Sequence, residues 1–99
     1  MKIIKKLSEM IREEMNDAEQ YAKCALKYKA EDQRLANMFY TISKQEMEHA
    51  NMEHEQAVRF ISESNVEAPE AMRAVWDWEH ELLIDKTARI RALHDMYKA

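Results

Sequence analysis

Apolar residues recur along the first third of the chain at Ile4, Leu7, Ile11, Ala18, Tyr21, Ala25 and Tyr28. Steps of three, four and seven mark one face of an α-helix. The step of seven skips a turn, and the residue that fills the skipped place is Glu14. A second stripe runs through Leu35, Phe39 and Ile42, continues through Glu46 and His49, and resumes at Met52 and Phe60. A third joins Met72, Val75, Trp76, Leu82, Leu83, Ile90, Leu93 and Tyr97. Glu14, Glu46 and His49 therefore stand inside apolar stripes, not beside them.

The breaks are few. The phase shifts across Lys29 to Asp32, and Asp32 is suited to cap a following helix. A run of capping residues from Ser62 leads to the only proline, Pro69, which suits the first turn of a third helix. The pattern predicts helices near 3–29, 32–63 and 69–97 in one domain spanning 1–99. Helices of about 30 residues span roughly 40–45 Å at 1.5 Å per residue. Three such rods cannot enclose a deep core alone. The expected fold is all-α, with a long antiparallel hairpin plus a third helix, completed as a four-helix bundle by a second chain.

Composition narrows this further. The 99 residues include no Gly and one Pro, where about a dozen of the two together are usual. Folds and phosphate loops that need Gly for backbone geometry are excluded. A net charge of −4, with both signs interspersed, does not supply the basic footprint of a nucleic-acid binder. No apolar run reaches the 18 residues of a membrane span. The charged start, without a signal-type apolar stretch, and the lone Cys24 lead to the expectation of a cytoplasmic protein.

The polar residues in the stripes carry the candidate chemistry. Glu46 and His49 are three apart, so they share a helix face, and a carboxylate and an imidazole one turn apart can hold one metal ion. If the first two helices turn back near residue 30, Glu14 lies 16 residues before the turn and Glu46 lies 16 after it. The two carboxylates then meet at one level. Such a pair repels unless protons or a cation intervene, and burial is costly unless the charge is matched. A divalent ion would satisfy both carboxylates, and His49 would complete a site suited to iron, manganese or zinc. The alternatives are a Lys or Arg partner for Glu14 and a carbonyl partner for His49.

The run Glu14, Tyr21, Ala25, then Leu35-Ala36, Phe39, Glu46-x-x-His49-Ala50 resembles the first helical pair of rubrerythrin and other ferritin-like proteins. The resemblance covers about residues 10–60. It implies that Glu14, Glu46 and His49 are iron ligands, with Glu46 the bridging carboxylate. Ferritin-like chains have four long helices and a second Glu-x-x-His, whereas this chain has three predicted helices and one such motif. Half a ligand set is similar to the encapsulated half-ferritins, which build a di-iron centre between subunits. Two hairpins about a twofold axis would supply four Glu and two His. No Gly-rich C-terminal targeting tail of the kind those proteins use is present.

Other residues are secondary. Asp17, His54 and Glu55 read as surface. Glu53 reads as solvated or salt-bridged, with an extra ligand as its other role. Tyr21 reads equally as packing or as a hydrogen-bond partner of a ligand. Glu81 or Asp85 of the third helix would reach a metal only if that helix covered the open side, and Glu79 stands beside them. The Trp76 and Trp78 pair reads as an anchor, and Cys24 as a small buried residue. Two functions remain: a carboxylate-bridged di-iron or di-manganese centre at a subunit interface, able to oxidise Fe(II), or a metal-free helical assembly module.

Overall fold

The computed structural model describes residues 2–63 and 70–99, with side chains described over 2–63 and 76–99. The described residues form three helices, α1 Lys2–Tyr28, α2 Gln33–Glu63 and α3 Glu70–Lys98, and no strand. These agree with the predicted spans to within a residue or two. Capping by Ser62 onward and the place of Pro69 fall largely outside the described residues. The molecule is a rod of 54 × 17 × 16 Å, somewhat longer than the roughly 40–46 Å of its individual helices of 27–31 residues.

The first connection turns tightly without glycine. The amides of Glu31 and Asp32 both donate to the Tyr28 carbonyl, at 3.0 and 2.9 Å. Asp32 then starts α2: its Oδ1 accepts the Leu35 amide at 3.1 Å, the N-cap bond that satisfies one free donor of the first turn.

The α1–α2 seam is closer than the large apolar stripe of α2 suggests. The buried line of α2 is Ala36, Ser43, Ala50 and Ala57, spaced every seven residues. It faces Ile4, Ile11, Ala18 and Ala25, also every seven, with Leu7, Met15 and Ala22 beside them. Small side chains let the two rods approach closely. Leu35, Phe39, Ile42 and Phe60 are consequently only half-buried at the edge of the seam, and Met52 is 64% exposed. The stripe drawn through the large residues thus marks the edge of the contact, not its centre.

Helix α3 lies against α1, running parallel to it. Arg12 pairs with Glu79, Glu19 with Lys86 at 3.4 Å, and Lys29 Nζ donates to the Met96 carbonyl at 3.3 Å. Each pair is 67 positions apart, so the register is constant along the rod. Ile90, fully buried, seats α3 among Ile11, Met15, Ala18 and Ala50. Glu19 is also buried, but polar. Burial alone would raise its pKa, yet Lys86, Lys23 and Arg89 outweigh that and hold its carboxyl below the ordinary range.

Polar contacts fix α3 against α2. Ser43 Oγ donates to the Ala18 carbonyl at 2.6 Å and lies 2.7 Å from His94 Nε2. Accepting from His94 while donating to Ala18 uses the hydroxyl's donor and one of its two acceptor sites. Burial first, then the nearby Lys98 and Lys44, push His94 below the usual imidazole range, which favours the neutral ring. Tyr40 closes the layer, edge-on to His94 and 4.6 Å from the Tyr97 ring.

Candidate metal centre

Glu14, Glu46 and His49 come together on the α1–α2 seam. One donor atom from each lies within 4.8 Å of the other two, and Glu14 Oε2 is 3.5 Å from His49 Nδ1. The antiparallel turn centred near residue 30 brings the carboxylates level, and the three-residue step puts the imidazole on the same face. Glu14 and Glu46 are half-buried, whereas the His49 side chain is 54% exposed.

This side of the seam is the one that α3 leaves open. Five residues separate Glu14 from Glu19, which faces α3, so the two point about 140° apart around α1. Beside the site, Tyr21 and Tyr28 stack on Phe39 with ring centres 6.2 and 6.0 Å apart. These rings, with Met10, Leu35 and Ile42, are half-buried and form a mixed apolar face around the polar group. Tyr21 thus packs against Phe39.

The electrostatics are those of a site short of positive charge. Among the described residues, no Lys or Arg forms an ion pair with Glu14, Glu46 or Glu53. The hydrogen bond that Glu46 shares with Glu14, then burial, then the charge of Glu14 raise the Glu46 carboxyl above the usual range; His49 opposes them. The Glu53 carboxyl is likewise raised, chiefly by burial. Taken as ionised carboxylates, Glu14 Oε2 and Glu53 Oε2 are buried without any donor. A proton or a cation among them would match these oxygens, since buried acceptors are rarely left without a partner.

Glu53 is not the solvated or salt-bridged residue that its composition-rich surroundings suggested. It is half-buried and within hydrogen-bond reach of Glu14. Its place four residues after His49, on the same stripe, was the available signal. His54 is also not a surface residue. It is half-buried and packs against both Trp76 at 5.8 Å and His80 at 5.2 Å, whose rings are 6.2 Å from each other. Trp76 does anchor α3 on the hairpin, while Trp78 is 61% exposed.

The α3 carboxylates stay away from the site. Glu79 is taken by Arg12, Glu81 is exposed, and Asp85 is exposed beside the cavity shared with Ser8 and Asn16 of α1. Asp17 and Glu55 are exposed as expected, and Cys24 is half-buried. No helix among the described residues is long and apolar enough to cross a membrane. Comparison with protein-family models, curated proteins and solved structures finds no match.

The residues present suit a first-row divalent ion. Two carboxylates and an imidazole are a mixed oxygen and nitrogen donor set of the kind that iron, manganese and zinc accept. The unmatched oxygen of Glu14 is the structural feature that such an ion would satisfy.

Proposed function

We propose that the chain is a ferritin-like metal-binding protein whose carboxylate-bridged di-iron or di-manganese centre forms between two copies. The observation that supports this reading is the meeting of Glu14, Glu46 and His49 within 4.8 Å, with no Lys or Arg among the described residues paired to them. One chain contributes two carboxylates and one imidazole from this triad. Two chains about a twofold axis contribute four and two, the complement of a dimetal carboxylate bundle. The half-buried face around the site is the surface that a second hairpin would cover, giving the four-helix bundle. Within the centre, Glu46 would bridge the two ions, Glu14 would bind one terminally, and His49 would supply a nitrogen. Iron held by these residues would supply one-electron redox chemistry, and the protein would then oxidise Fe(II) with dioxygen or peroxide as the electron acceptor.

The metal-free reading, a helical assembly module, draws support from the raised Glu46 pKa, because a proton can bridge Glu46 and Glu14 in place of an ion. Metal content separates the two. Anaerobic titration of the metal-free chain with Fe(II), followed by desalting and metal analysis, should leave about one iron per chain, or two per shared centre. The Glu46→Ala, His49→Ala double variant should retain none. A wild-type chain that stays metal-free contradicts the proposal.

A further inference from the structure

A third carboxylate belongs to this group. Glu53 lies seven residues after Glu46 and four after His49, on the same face of α2. Helical side chains lean toward the N-terminus of their own helix. Glu53 on α2 therefore leans back toward His49, and Glu14 on the antiparallel α1 leans toward Glu53. Glu14 therefore has Glu46 on one side, grouped with it and His49 within 4.8 Å, and on the other Glu53, which lies outside that group but shares a hydrogen bond with Glu14.

Glu53 Oε2 is buried with no hydrogen-bond partner, as is Glu14 Oε2. The ionisable groups around Glu53 are Glu14, Glu46, Glu13 and His49: three are acids, and His49 alone is a base. A structural salt bridge would place a Lys or Arg here, and none of the described residues does so. A surface carboxylate would have both oxygens in water, and here Oε2 is buried.

We infer that Glu53 is a fourth donor of the centre, so that each chain presents three carboxylates and one imidazole, Glu14, Glu46, Glu53 and His49, to a divalent cation. The inference rests on the metal-site reading and adds the residue that the Glu-x-x-His pattern omits. It also sets the hardness of the site: three oxygen donors and one nitrogen favour Mn(II) and Fe(II) over softer ions.

Glu53→Gln tests this cleanly. The amide keeps the length and hydrogen-bonding capacity of the side chain, so a residue that only props Glu14 would survive the change. A ligating carboxylate would not. Mn(II) titration of the full chain, followed by the electron paramagnetic resonance signal of free Mn(II), should show at least a tenfold weaker site in Glu53→Gln, with helix content unchanged by circular dichroism. Glu46→Gln serves as the control within the triad. If Glu53→Gln binds Mn(II) as tightly as wild type while Glu46→Gln loses it, Glu53 is not a donor and the three-residue site stands. If the wild-type chain itself fails to bind Mn(II), this inference and the site it extends both fall.

Discussion

Glu46→Gln is expected to stabilise the metal-free chain and to remove most of the stabilisation that metal confers. In the folded metal-free chain the Glu46 carboxyl is raised by its hydrogen bond to Glu14, by burial and by the charge of Glu14. A carboxyl raised on folding favours the folded state below its unfolded value, near 4.5, and loses that contribution as pH rises through the folded value. At neutral pH the wild type carries the resulting penalty and the glutamine variant does not. Replacing such an ionic group by a neutral one stabilises by about 1–2 kcal/mol, toward the lower end of measured cases. For a domain of this size that is a rise in Tm of about 5–15 °C. The gap should close as pH falls toward the ordinary carboxylate range. His54 and His94, both lowered by burial, make the chain lose stability as pH falls below the usual imidazole value, but they act equally in both proteins. With Mn(II) at about 100 times its dissociation constant, the wild type should gain about 2.7 kcal/mol, and the variant far less. The order of the two melting temperatures then reverses. Thermal melts with and without Mn(II), across pH, read this out; a wild type indifferent to metal would leave only the assembly module.

Ile90→Ala is expected to cost about 2–5 kcal/mol, the range for deleting a buried aliphatic side chain. Ile90 is fully buried and, among the described residues, is the α3 side chain at the centre of the core with Ile11, Met15, Ala18 and Ala50. The loss should appear in denaturant or thermal unfolding. Metal stoichiometry should be unchanged under conditions where the variant is folded, because Glu14 points away from the face that holds α3. Loss of metal together with loss of stability would show that the site depends on α3.

The sequence made the helices legible because their breaks were chemically distinct: Asp32 is a capping residue and is found capping. The coincidence of Glu14 with Glu46 was also legible, since counting from a turn near residue 30 needs only a constant rise per residue. Three things were not. The buried line of α2 is made of Ala36, Ser43, Ala50 and Ala57, which a hydrophobicity pattern ranks below Phe39 and Ile42 although close helix approach selects small side chains. Glu19 finds Lys86 and Arg89 on α3, and His94 of α3 finds Ser43 on α2; periodicity within one helix carries no information about the register of another. Glu53 resembled its many charged neighbours, and only its burial beside Glu14 sets it apart.

Crystals grown metal-free and soaked anaerobically in Fe(II) give the most direct view of the centre, through anomalous scattering at the iron edge. Strong peaks are expected about 2.0–2.3 Å from carboxylate oxygens of Glu14 and Glu46 and from His49, paired across a twofold axis with the same residues of a second copy. A map without iron at these side chains, with the three turned apart toward bulk water, would contradict the metal centre outright.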